Sequence, residues 1–313
     1  MLNVLPAPLT VGSIQFGVGA LYCALVWLLH LRPFPVLTSS GKGAVATVGL
    51  YHALGQLASM LSLGAGPVSF THIVKAMEPF FSAIVSGLYF KKWMKAPVYA
   101  TLIPVVAGVG YACMKELNFS WLAFGAAMAS NVAFAFRAVQ SKIALQSGKD
   151  TGSNLSPPNM FGLVTWAALL ISIPIALVGE RNFGDLFAAA LDTVQDKMQF
   201  YRAILLSGLF HYLNNEVMYL ALGSVHPVTL AVGNTMKRVF ILVASVMVFR
   251  NPISLQAGIG STVGIAGVLL YSLTKQYYEQ LEVEDLKKNK KVQKLKNKNL
   301  KPAMKVKIPS GKR

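Results

Sequence analysis

The chain has 313 residues, 54% of them hydrophobic and only 13% charged, with a mean hydropathy of +0.52. A soluble domain carries about 25% charged residues, so the composition excludes an ordinary water-soluble enzyme or binding module. The formal charge of +17 sits mostly at the end: residues 287–313 hold twelve Lys and Arg and no acid, and without them the charge is +5, so an apolar body with a basic tail is expected rather than a nucleic-acid-binding domain.

Runs of about 20 apolar residues are long enough to cross a bilayer as helices. Taken in chain order they lie near 10–31, 43–65, 68–90, 97–115, 120–145, 158–178, 203–222, 227–249 and 255–274, which makes nine spans of an all-α, polytopic membrane protein. Pro67, Pro97, Pro158 and Pro227 stand near span starts, and most connections are short. The longest connection, GERNFGDLFAAALDTVQDKMQFYR, carries an apolar stripe of Phe183, Leu186, Phe187, Ala190, Leu191 and Val194, which predicts a short helix lying on the membrane surface. Cys23 and Cys113 lie in apolar runs and imply no disulfide framework. Neither a signal peptide nor a plastid-type transit peptide is visible. Loop charges orient the chain: Arg32, Lys42, Lys91, Lys92, Lys95, Lys149 and the tail fall on one side, which is expected to face the cytoplasm or an equivalent compartment.

A weak internal echo runs through the spans. PVSF at 67–70 is matched by PVTL at 227–230, AGVGY at 107–111 by AGVLLY at 266–271, and Lys115 by Lys275, at offsets of 160, 159 and 160. Four spans lie between the two PV-containing spans, so the unit is five spans, an odd number, and the second copy is inverted. Inverted repeats are a feature of secondary transporters, with the substrate near the midplane between copies. The membrane domain is expected over 1–274, with a first repeat to about 118 and a second over about 119–274. The second copy begins near residue 120, which leaves the first copy one helix short of a ten-helix design. Residues 275–313 are expected to form a basic disordered tail, for which contact with anionic lipid is one option.

Ionisable residues inside spans mark functional sites by default, because a cation at mid-bilayer costs about 2.5–3.5 kcal/mol on insertion scales. Here they are His52, His72, Lys75, Glu78, Arg137, Lys142, His211, Glu216, Lys237 and Arg238. Lys75 lies in the first PV-containing span, and Lys237 and Arg238 lie about ten residues past the Pro of the second, so the repeat brings cations from both halves to similar depth, with Arg137 as a fourth. Such a cluster repels itself unless an anion visits it, and Arg and Lys together suit a phosphate. The competing reading pairs these cations with Glu78 and Glu216 as structural glue, or lets Arg137 and Lys142 snorkel to the interface. The histidines are expected at helix contacts. Paired carboxylates, a metal-ligand cluster, a nucleophile elbow and a phosphate-cradling Gly loop are not visible, so neither a metal nor a cofactor is expected. Gly258, Gly260, Gly264 and Gly267 read as helix packing.

HALGQLAS at 52–59, VSFTHIVKAMEPFFS at 68–82, SKIAL at 141–145 and GNTMKRVFILVAS at 233–245 resemble the plastid phosphate translocators, within the drug/metabolite transporter superfamily. The resemblance runs from residue 8 to about 275 and implies a ten-helix inverted-repeat transporter, not an enzyme. It implies one-for-one exchange of inorganic phosphate for phosphorylated compounds such as triose phosphate, 3-phosphoglycerate or phosphoenolpyruvate across a plastid membrane. It assigns phosphate binding to Lys75, to Lys237 with Arg238, and to Arg137. At the carbon end this chain departs from the family pattern: Gln56 replaces a substrate-contacting His, Asn214 replaces a Tyr, and Ser59 falls near a small hydroxyl position. An intact phosphate end with an altered carbon end fits broadened selectivity, as in relatives from apicomplexan plastids. The alternative within the same fold is a nucleotide-sugar antiporter of the Golgi or endoplasmic reticulum, against which the KAMEPFF and GNTMKR stretches argue.

Overall fold

The computed structural model describes residues 2–147, 150–224, 227–249 and 254–303, and these are mostly helical. In chain order the elements are α1 (Pro8–Leu28), β1 (Val36–Leu37), α2 (Ser39–Ala65), α3 (Val68–Lys75), α4 (Glu78–Phe90), α5 (Ala96–Ala100), α6 (Leu102–Met114), α7 (Trp121–Gln146), β2 (Gly152–Ser153), α8 (Pro157–Gly179), α9 (Phe183–Thr193), α10 (Lys197–Ser224), α11 (Pro227–Phe249) and α12 (Leu255–Ala303). Helix starts follow local chemistry. The hydroxyls of Thr38, Ser120 and Ser156 accept from the backbone N–H three residues on, in Gly41, Ala123 and Asn159. Proline occupies the first turn of α1, α4, α5 and α8, where its missing N–H costs nothing.

Among the described residues seven segments are long and apolar enough to cross a membrane: Pro8–Leu28, Ser39–Ala65, Val68–Phe90, Ala96–Met114, Trp121–Leu145, Pro157–Gly179 and Leu255–Asp285. Nine were expected. The other two are the helices α10 and α11. His211, Asn214, Asn215 and Glu216 lower the hydropathy of α10, and the side chains of 222–232, at the start of α11, lie outside the described set. The span 68–90 is two helices, broken at Ala76 and Met77.

Helix α2 packs on α7 and α8, α1 on α8 and α10, α6 on α12, and α3 on α7 and α11. Gly260, Gly264 and Gly267 of α12 meet α6 at Gly108, Val109 and Val105, whereas Gly258 has open space beside it. A Cβ on Gly108 would lie 2.6 Å from the Gly260 oxygen, so this crossing requires glycine. The β1 and β2 pair is antiparallel, Val36 opposite Ser153, and ties the α1–α2 connection to the α7–α8 connection.

The stripe of α9 packs onto the protein itself, in a cluster with Leu5, Val11, Met60 and Phe200. Helix α12 continues to Ala303, about 74 Å in all, where a disordered tail was expected from residue 275. Neither Gly nor Pro occurs between Gly267 and Pro302, and the intervening Glu, Gln, Leu and Lys are good helix formers. Lys92 and Glu282 form an ion pair at 2.5 Å, so this extension and the α4–α5 connection lie on one side of the protein, as the loop charges predict.

Candidate functional site

The site begins with a proline. Pro79 has no N–H to give the carbonyl of Lys75, four residues back, and its ring crowds that carbonyl. The α3–α4 break follows, and the freed Lys75 oxygen accepts from Arg238 Nη1 of α11 at 2.9 Å. Arg238 Nη2 also reaches Glu78 Oε2 at 3.2 Å, so the KAMEP stretch forms a two-point socket for the Arg238 guanidinium. The pairing reading therefore holds for Arg238 with Glu78. Glu216 instead accepts from Arg32, a loop cation, and from the Tyr212 hydroxyl.

Lys75 has different partners. Its ammonium donates to Ser59 Oγ of α2 at 2.8 Å and to Ser130 Oγ of α7 at 2.7 Å, both uncharged, and it sits 4.5 Å from the centre of the Phe134 ring. Arg137 lies 4.7 Å from the centre of the same ring. Phe134 thus gathers two cations through the negative face of its π system. Ser130, Phe134 and Arg137 recur at helical spacing and form one stripe of α7. Gly55 of α2 lets this stripe approach: a Cβ there would lie 2.8 Å from Phe134 Cε1. Arg137 Nη1 is 2.9 Å from His52 Nδ1, and the His52 ring stacks on His211 at 6.1 Å and 16°. Nε2 of both histidines is buried with no hydrogen-bond partner among the described residues.

Gln56 lies one turn from Ser59 on α2. Its amide donates to Gln15 Oε1 of α1 at 2.8 Å, and Gln15 Nε2 donates to Ser207 Oγ of α10 at 2.7 Å. Ser207, His211 and Asn214 share one face of α10 by spacing. Asn214 and Lys237 are exposed, and neither makes a hydrogen bond or ion pair among the described residues. Lys142 sits over the Phe90 ring at 5.5 Å, away from this group.

The structure thus joins Lys75, Ser59 and Arg137 around Phe134, ties Arg238 to the same Lys75 backbone, and places Gln56 a turn away. It leaves Lys237 and Asn214 without direct contact to them. Ser130, Phe134, Gln15 and Ser207 were not singled out by sequence. Helical spacing from Arg137 is the one signal for Ser130 and Phe134, and spacing from His211 and Asn214 the one for Ser207; Gln15 has none. Among the described residues no group of three His, Cys, Asp or Glu is placed to hold a metal ion.

Cations on α3 and α7 meet around Phe134, and Arg238 of α11 holds the Lys75 carbonyl beside them. The sequence pattern of the Triose-phosphate Transporter family matches residues 1–272. The chain belongs to this family. It is 37% identical over 278 residues, 88% of this chain and 72% of the relative, to a chloroplastic phosphoenolpyruvate/phosphate translocator 2 of Arabidopsis thaliana. It is 35% identical to a chloroplastic xylulose 5-phosphate/phosphate translocator of the same plant, over 92% of this chain and 68% of the relative. It is 36% identical to a chloroplastic triose phosphate/phosphate translocator of Pisum sativum, over 89% and 68%. Similarity to triose-phosphate transporter family members with different organic substrates is nearly equal.

Proposed function

We propose that this protein is an antiporter exchanging inorganic phosphate for small phosphorylated metabolites such as triose phosphate, 3-phosphoglycerate and phosphoenolpyruvate across a plastid membrane. The observation that carries this reading is Lys75, whose ammonium, among the described residues, bonds hydroxyls and an aromatic face and no carboxylate, which leaves its charge for a visiting anion. Lys237 is open in the same way, and Arg137 and Arg238 supply planar guanidinium forks for phosphate oxygens. Gln56, Ser59 and Asn214 read the carbon end. The names of the relatives agree, since each pairs phosphate with a phosphorylated carbon compound.

The architecture behind this function is nine spans of a ten-helix, inverted-repeat design of the drug/metabolite transporter type, with the first repeat to about residue 118 and the second over 119–274. Reciprocal packing supports it: α1 on α10 is the repeat counterpart of α8 on α2, and α6 on α12 pairs two counterparts. The deciding experiment is uptake by purified protein in liposomes. Vesicles preloaded with phosphate should take up labelled phosphate and phosphorylated three-carbon compounds, and vesicles preloaded with UMP should not. Exchange driven by UMP and not by phosphate would replace this reading with a nucleotide-sugar antiporter.

A further inference from the structure

Three polar side chains from three helices form a continuous chain behind the carbon end of the site. Gln56 of α2 donates to Gln15 of α1, and Gln15 donates to Ser207 of α10, at 2.8 and 2.7 Å. Gln15 is buried. Gln56 is half-buried, and its side-chain oxygen makes no hydrogen bond among the described residues. One end of the Gln56 amide is therefore anchored and the other is open, one helical turn from the hydroxyl that holds Lys75.

The chain has no fixed direction. A serine hydroxyl both donates and accepts, and a glutamine amide has one donor end and one acceptor end. In the observed direction Ser207 accepts, Gln15 turns its oxygen to Gln56, and Gln56 leaves its own oxygen toward the substrate. In the reverse direction Ser207 donates to the Gln15 oxygen, Gln15 donates to the Gln56 oxygen, and Gln56 turns its NH₂ group toward the substrate. Both directions make the same two internal hydrogen bonds, so little separates them in energy. An open oxygen suits a hydroxyl, and an open NH₂ suits a carboxylate. A residue fixed in one direction would leave one of these unpaired, which is the usual source of discrimination between polar substrates.

We propose that Gln15 and Ser207 form a reversible hydrogen-bond relay that sets which end of the Gln56 amide meets the carbon moiety, so that one site accepts both hydroxyl-bearing and carboxylate-bearing phosphorylated three-carbon compounds. The proposal rests on the phosphate-exchange reading and on Gln56 facing the substrate. Gln15 and Ser207 act through Gln56 and are positioning residues.

The test fixes the relay in each direction and reads selectivity. Liposomes preloaded with phosphate are assayed for uptake of dihydroxyacetone phosphate and of phosphoenolpyruvate, with phosphate–phosphate exchange as the control for folding. Gln15→Glu offers acceptors only, turns the Gln56 oxygen to the substrate, and should lower the phosphoenolpyruvate to dihydroxyacetone phosphate ratio about tenfold, the order of one hydrogen bond to a charged group. Gln15→Lys offers donors only and should raise the ratio by about as much. Both substitutions also change charge, so each is repeated with Gln56→Leu, which removes the reader but not the charge. The shifts should vanish there. Unchanged ratios, or equal shifts with and without Gln56, overturn the relay. If one Gln15 variant loses phosphate exchange, the other decides by the same criteria. Absence of phosphate exchange in the unaltered protein would instead overturn the function on which the relay rests.

Discussion

Lys75 and Arg238 differ in what they do when no substrate is present. Arg238 is held by Glu78 and by the Lys75 carbonyl, whereas the Lys75 ammonium rests on the hydroxyls of Ser59 and Ser130. A hydroxyl gives way to a phosphate dianion readily, because the charged acceptor forms bonds roughly twice as strong. Lys75→Gln should therefore lower phosphate exchange by about 100-fold at unchanged membrane abundance, from a lost contribution of about 1.5–3 kcal/mol per charged hydrogen bond. Ser59→Ala should cost only severalfold, since it removes a resting partner. Uptake into liposomes with protein quantified by immunoblot checks both, and equal losses from the two variants would show that Lys75 serves structure alone. Lys75, Lys237 and Arg238 were legible in the sequence because a charge inside an apolar run is conspicuous. Ser130, Phe134, Gln15 and Ser207 were not, because serine and phenylalanine are ordinary in a span and a lone glutamine carries no pattern. Only contacts between helices show that they belong to the site.

Two local features of the helices set the geometry that these residues need. Pro79 breaks α3 from α4 and frees the carbonyl that Arg238 takes. Pro79→Ala restores an N–H four residues after Lys75, so the two short helices should fuse. Pro79 stands in the first turn of α4, where a missing N–H costs little, so the melting temperature should change little while phosphate exchange falls. A variant with unchanged transport would show that the break is incidental. Gly55→Ala should lower stability. The new methyl meets Phe134, and overpacking of this kind costs about 1–3 kcal/mol. Both stability and exchange should fall, and Gly55→Ala with Phe134→Leu should recover stability but not exchange, as thermal unfolding and uptake will show. Hydropathy read 68–90 as one span because it averages over the break. A proline four residues after Lys75 carried the signal, but its meaning depends on Arg238, which is 163 residues from Lys75 in sequence. The extension of α12 was missed for another reason: high charge argued for disorder, while the residues that carry the charge also favour helix.

Across the whole molecule, seven of the nine expected spans are long and apolar enough to cross a membrane among the described residues, and α1 packs on α10 as α8 packs on α2. The order of spans was legible because each is apolar throughout; which helices meet was legible only as far as the echo at 67–115 and 227–275 reached. On the proposed reading Lys75, Arg137, Lys237 and Arg238 serve one site with Glu78 as the acid paired to Arg238, a net of three positive charges. Empty, these cations repel and favour states in which water reaches them, since closure would bury uncompensated charge. A phosphate dianion, or the phosphate of an organic substrate, cancels most of that charge and lets the halves close over it. A ligand shifts a conformational equilibrium only by its differential affinity for the two states, and here that difference comes from charge compensation on closure. The loaded protein should therefore pass between its two open forms, and the empty protein should not. The expected result is strict exchange: uptake of labelled phosphate into vesicles that contain phosphate, and almost none into vesicles that contain sodium gluconate. Lys237→Gln reduces the uncompensated charge by one without touching the Arg238 socket, so it should slow exchange yet permit a measurable one-way leak of phosphate. Rapid uptake by the unaltered protein into phosphate-free vesicles would show that the empty carrier crosses freely, and the cations would then serve binding without imposing exchange.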